Sequence, residues 1–178
     1  MARHWTLSRS FAAALRRFRR DRKGSSAVEF ALIAGPFFMI IFALIESALI
    51  FFAQQALETA TQDTARMIMT GEAKNFTASQ FSSALCNKIA TFFTCSGIRI
   101  ASQSFASFSA IAPFNPIDSS GAFVSSFPYT AGGSGSIMLV QASYKWPLFV
   151  TGLGFSIGNA DSTHRLLTAT AAFRNEPY

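Results

Sequence analysis

The sequence predicts an α+β protein hung from a membrane: a long N-terminal transmembrane helix extended outside the membrane, a second helix, and a small antiparallel β-sheet body. Three observations predict it. Phe30 to Ala53 is a run of 24 residues in which only Glu46 and Ser47 are polar. A capping signal at Thr77 opens a stripe of apolar residues at helical spacing. Two later segments alternate apolar and polar side chains, the period of a strand.

Composition sets the outer limits. Of 178 residues, 50% are hydrophobic, 13% are charged and 20 are Phe. A disordered chain needs the reverse balance. Two Cys and two His are too few for an all-Cys zinc site or a His-rich one. The net charge of +6 is unevenly spread. Residues 1–24 hold eight Lys/Arg against the single acid Asp21, a balance of +7, and the remainder carries −1. The basic character therefore belongs to a leader. Nucleic-acid binding needs cations spread over a folded face, so no nucleic-acid partner is expected.

The apolar run comes first in the chain. As a helix it reaches about 36 Å, against a hydrocarbon core of roughly 30 Å. The basic block on its N-terminal side alone puts the N-terminus in the cytoplasm, by the positive-inside rule. A secretory signal peptide would have a shorter core and a small-x-small cleavage site, whereas Phe51 stands two residues before Ala53. The expected organisation is a basic cytoplasmic leader at 1–24, a transmembrane helix at 25–53 and an extracytoplasmic body at 54–178. The helix runs on, because Leu57, Ala60, Thr64 and Ile68 recur at helical spacing, and Gly71 is its expected stop.

Next comes the second helix, opened by Thr77 and Gln80, with Phe81, Leu85, Ile89 and Phe92 as its apolar stripe. Cys86 lies on it and Cys95 just past its end. Outside the cytoplasm a disulfide between them is the expected state, two free thiols being the alternative. Residues 101–136 contain ten Ser, five Phe, four Gly and three Pro. Their aromatics belong either to loops folded back onto a core or to strands without a readable register. The two clear strands are Ile137 to Trp146, with Met138, Val140, Ala142, Tyr144 and Trp146 on one face and the polar Gln141, Ser143 and Lys145 opposite, and Leu166 to Arg174. Pro147 ends the first. Gly97 to Ser102 is a weaker third. Helices followed by strands without regular alternation make an α+β body.

Catalytic chemistry is hard to find. Asp161-Ser-Thr-His164 gathers an acid, hydroxyls and an imidazole, but as a contiguous stretch near Gly158 it reads as a turn, since triad members converge from separate elements. No phosphate-cradling Gly loop, paired-His motif or dinucleotide fingerprint is present. No enzyme activity, cofactor or small-molecule substrate is expected.

The informative segment is the junction Arg22-Lys-Gly-Ser-Ser-Ala-Val-Glu-Phe30. It resembles a prepilin-type signal, with cleavage after Gly24, Ser25 as the new first residue, Glu29 fifth and Phe30 beside it. More specifically, residues from Arg17 to Leu57 resemble the start of the TadE/TadG family of Flp (Tad) pilus assembly proteins, with a basic stretch, Gly, Val-Glu-Phe-Ala-Leu, Pro36 in the helix and a second acid, Glu46, near its outer end. The ending Arg174-Asn175-Glu176-Pro177 is similar to one common in that family. In length the chain is similar to the short TadE-like members, regarded as minor pilins or pseudopilins of type IVb pili.

The resemblance implies a single-pass protein of the bacterial inner membrane whose partners are the membrane, a prepilin peptidase, and other Tad pilus proteins or pilin subunits. In pilins, it implies, the carboxylate at the position of Glu29 pairs with a new ammonium such as that of Ser25 and guides packing. The simpler alternative is a carboxylate at the membrane interface favouring the helix N-terminus. Pro36 removes a backbone bond, which either kinks the helix for packing or is merely tolerated in lipid. Glu46 either snorkels to the outer headgroups or meets a partner helix. The competing functions are an unprocessed signal-anchored periplasmic binding or scaffolding protein, and an anchored periplasmic enzyme.

Overall fold

A computed structural model describes residues 24–153 and 157–178. The basic leader and His4 lie outside the described residues. The chain forms two compact units, one ending at Phe42 and one running from Ala43 to Tyr178. The first unit's described part is helix alone, with Phe30, Leu32, Ile33 and Ile40 between 57% and 71% exposed. Pro36 lies inside that helix without interrupting it.

Helix α1 is Ser25–Met69, a single 45-residue element. From Ala43 onward it shows one buried stripe: Glu46, Ile50, Ala53, Leu57, Ala60, Thr64 and Ile68. These positions recur every three or four residues, one face of a 3.6-residue period. Thr61 and Thr64 are buried without cost to the core because each hydroxyl donates to the carbonyl four residues back, Leu57 and Ala60, at 2.7 Å. The helix stops at Gly71, whose φ of +78° is closed to most side chains. The Gly71 N–H returns to the Ile68 carbonyl and the Ala73 N–H to that of Met67, satisfying two terminal acceptors.

Helix α2 is Ala78–Ile89, opened by the full Thr77/Gln80 capping box and burying Phe81, Leu85, Cys86 and Ile89. The expected stripe fails at its last member. The helix ends at Ile89, so Phe92 falls beyond the period and is 53% exposed, while Phe93 turns inward at 4%. The disulfide Cys86–Cys95 then ties α2 to the start of the sheet, with 5.5 Å between the Cα atoms.

The sheet is an antiparallel meander of β1 (Arg99–Phe105), β2 (Ile137–Pro147) and β3 (His164–Arg174), in that order. Strand β1 starts and ends later than the sequence suggests, because Cys95–Gly97 forms a 3-10 turn after the disulfide. Strand β3 starts two residues earlier than expected, since His164 still pairs with Pro147. Met138, Val140, Ala142 and Tyr144 of β2, with Ile100, Leu167 and Ala169, join the helix stripes in one buried cluster.

The opposite face of β2 is also covered. Gln141 and Ser143, expected to mark a polar face, are only 2% and 1% exposed. The 106–134 segment lies over them: the Gln141 Nε2 donates to the Phe114 carbonyl at 2.7 Å, and Lys145 Nζ to that of Gly121 at 2.8 Å. Phe114, Phe123 and Phe127 form an edge-on cluster, and Arg99 sits 5.5 Å over the Phe123 ring. Phe114, Phe123 and Phe127 are thus loop residues folded back onto the sheet, whereas Phe105 ends strand β1 and Phe108 stays exposed. Its last part also seals the free edge of β1. Ser102 N–H donates to the Pro128 carbonyl, and the Ser102 carbonyl accepts from Thr130 N–H.

Candidate functional site

The N-terminal junction is built on the first turn of α1. Gly24 immediately precedes the helix, is exposed, and has no atom within 4 Å of where a Cβ would stand. Among the described residues, therefore, none gives a reason for glycine there. Glu29 lies one turn after Ser25 on the exposed helix, with Phe30 71% exposed beside it.

Glu46 is placed differently from the expectation. It heads the buried stripe of α1 and is 5% exposed. Its carboxylate accepts the main-chain N–H groups of Phe149 and Val150, the latter at 3.3 Å from each oxygen. These are the amides that open the short 3-10 helix Val150–Leu153, so the acid caps an element of its own chain. It does not snorkel. A buried carboxylate is costly unless hydrogen-bonded, and here main-chain donors meet that need.

Two further hydrogen bonds join α1 to the strand and tail that follow. Gln54 Nε2 donates to the Thr168 carbonyl at 2.9 Å, and Glu176 N–H to the Met69 carbonyl at 2.9 Å. Along α1, Gln54 to Met69 is about 22 Å. Along the extended chain, Thr168 to Glu176 is about 26 Å. Strand β3 therefore runs beside α1 in the same sense, and the β2–β3 turn stands at the Glu46 end. Sequence reasoning missed Gln54 and Phe149; an uncharged apolar stretch inside a hairpin connection was the available signal.

The closing motif has structural work of its own. Arg174 Nε donates to the Gly135 carbonyl at 3.0 Å. Asn175 is 3% exposed, and its amide donates to the carbonyls of Ala131 and Gly133 and to the Tyr178 hydroxyl at 3.0–3.1 Å. Pro177 then leads into Tyr178, whose ring lies over Gly71, 2.7 Å from where a Cβ would stand. The motif fastens the 131–136 turn and the end of α1 together.

The acid–hydroxyl–imidazole cluster is a turn, as expected. Asp161 Oδ1 and Thr163 Oγ1 both lie 2.9 Å from the same ring nitrogen, Nδ1 of His164. A relay needs acid and hydroxyl on opposite nitrogens. The second Asp161 oxygen is held by Lys145 Nζ at 2.6 Å, and that ammonium, with the Thr163 N–H, keeps the Asp161 carboxyl well below the ordinary carboxylate range. Among the described residues, no group of three or more His, Cys, Asp or Glu is placed to hold a metal.

These features define a class: one N-terminal apolar helix, consistent with single-pass membrane anchoring, prolonged into a small disulfide-tied α+β body. Residues 24–66 match the family model described as TadE-like protein, which bears out the resemblance read from the junction and fits a Tad pilus-associated protein. The match begins at Gly24 and ends within α1. No curated protein and no solved structure matches the chain.

Proposed function

We propose that this chain is a TadE-like minor pilin or pseudopilin of the Flp/Tad system, anchored in the bacterial inner membrane with the leader 1–24 cytoplasmic, 25–53 spanning and 54–178 outside. It serves pilus assembly through protein contacts and carries out no catalysis. A prepilin peptidase cleaves it after Gly24, and its later partners are other Tad pilus proteins or pilin subunits. Glu29 pairs with the Ser25 ammonium created by that cleavage, and Phe30 and Pro36 shape the packing of the helix.

The carrying observation is the coincidence at Gly24: the family match starts there, α1 starts one residue later, and no described residue would crowd a side chain at that position. A glycine that no described residue requires is explained by an enzyme that must approach the backbone closely. Intact mass measurement of the native membrane protein tests this. The expected chain begins at Ser25, and Gly24→Leu retains the leader. A native chain still beginning at Met1 would replace this reading with an unprocessed anchor.

A further inference from the structure

Within the unit from Ala43 to Tyr178, the exposed side of α1 changes character abruptly. Leu44, Ile45, Leu49, Phe51 and Phe52 are apolar and 47–77% exposed. From Gln55 the exposed positions are polar, including Thr59, Gln62, Asp63 and Arg66. If α1 is a membrane anchor, lipid gives way to water between Phe52 and Gln55. Glu46 lies about 10 Å along the axis on the lipid side of that boundary.

The body, however, does not begin at the boundary. Its β2–β3 turn reaches back to Glu46, where the carboxylate holds the amides of Phe149 and Val150. Leu148 and Val150 are buried at 7% and 6%, which fixes the backbone, and Phe149 between them is 75% exposed. Phe92, displaced from the α2 stripe, is exposed too and meets Phe52 edge-on at 5.1 Å, at the boundary itself. Two aromatic rings that the core rejects thus stand at and below the level where the helix leaves lipid.

Resting on the membrane reading above, we propose that the body is seated in the outer leaflet of the bilayer, with Phe149 inserted among acyl chains and Phe92 at the interface. Lipid is the occupant because the exposed Phe149 ring stands at the level of Glu46, among the exposed apolar residues Leu44, Ile45 and Leu49 of α1. Burying an aromatic ring there recovers the apolar transfer energy that water would deny it. The Glu46 bonds are then the clamp that holds the turn at that depth.

The test uses the full chain, with its native disulfide kept oxidised, in phosphatidylcholine–phosphatidylglycerol vesicles. Single nitroxide labels replace Leu44, Phe149, Phe92 or Phe108, each exposed, as Leu44→Cys, Phe149→Cys, Phe92→Cys and Phe108→Cys. Collision with oxygen is compared with collision with a water-soluble nickel chelate. Oxygen is expected to dominate at 44 and 149, the chelate at 108, with 92 between. Chelate dominance at 149 with oxygen dominance at 44 overturns the insertion and leaves the anchor standing. Protection of 149 from both reagents also overturns it, because a protein surface then covers the ring. Chelate dominance at 44 overturns the anchor and this inference with it.

Discussion

Val150 donates its main-chain N–H to both oxygens of Glu46, at 3.3 Å each, across a separation of 104 residues. An acid in an apolar run invites an intermolecular explanation, because such groups usually face a partner. Here the chain supplies that partner itself. What the acid secures is the position of the β2–β3 turn against α1.

Removing this clamp should be costly. Glu46→Ala leaves the Phe149 and Val150 amides without their acceptor and is expected to lower stability by about 1.5–3 kcal/mol, the range for hydrogen bonds to a charged group. Glu46→Gln, which keeps one carbonyl oxygen, should lose less. Urea unfolding in detergent micelles, followed by Trp146 emission in a Trp5→Phe background, measures both. Equal midpoints for Glu46→Ala and the native chain would deny the clamp any weight.

Asn175 is the second fastening to test. Asn175→Ala strips donors from the Ala131 and Gly133 carbonyls and from Tyr178. The expected loss is about 1–3 kcal/mol, the penalty for unsatisfied buried groups. Limited proteolysis should show the 131–136 turn cut earlier than in the native protein. Glu176→Gln keeps the main-chain bond to Met69 and should behave like the native chain.

Reduction of Cys86–Cys95 opens a short loop. In the chain-entropy description the bridge contributes about 2–3 kcal/mol. Cys86→Ser/Cys95→Ser should shift the urea midpoint accordingly. Peptide mapping of membranes alkylated without reductant should recover the two cysteines linked.

The pH dependence follows from Asp161. Its carboxyl titrates below the ordinary value of 3.8, chiefly because Lys145 holds it. A folded pKa lowered in this way stabilises at pH above about 4, and that contribution is lost as pH falls further. The native body should therefore lose stability on acidification below pH 4 more steeply than Asp161→Asn. Matching acid limbs would mean that the Lys145 pair is idle in solution.

Much of this architecture was legible in local pattern. The α1 stripe from Leu57 to Ile68, the Thr77 capping box and the inward face of β2 all obey short-range periods, which a sequence displays directly. Phe92 was misread because a stripe at helical spacing does not reveal that the helix stops three residues earlier. Gln141 and Ser143 were misread for a different reason: their cover comes from the 106–134 segment, whose path has no period at all. At the candidate site, Gly24 and Glu29 stood out through the junction motif, whereas the Glu46 clamp joins residues too distant for any local rule to connect. The Asn175 network escaped notice likewise, because its acceptors are main-chain carbonyls and carbonyls have no sequence signature.

The parallel course of α1 and β3 has a mechanical consequence. A pull on α1 along its axis, entering at Ala43, loads the bonds at Glu46, Gln54 and Met69 in shear. They must yield together, since none can be peeled open ahead of the others. The same bonds pulled sideways would open one by one from the Glu46 end. A body fastened this way is stiff toward tension along its own part of α1 and weak toward leverage across it. Single-molecule stretching by the two geometries should therefore give unequal rupture forces, higher along the helix.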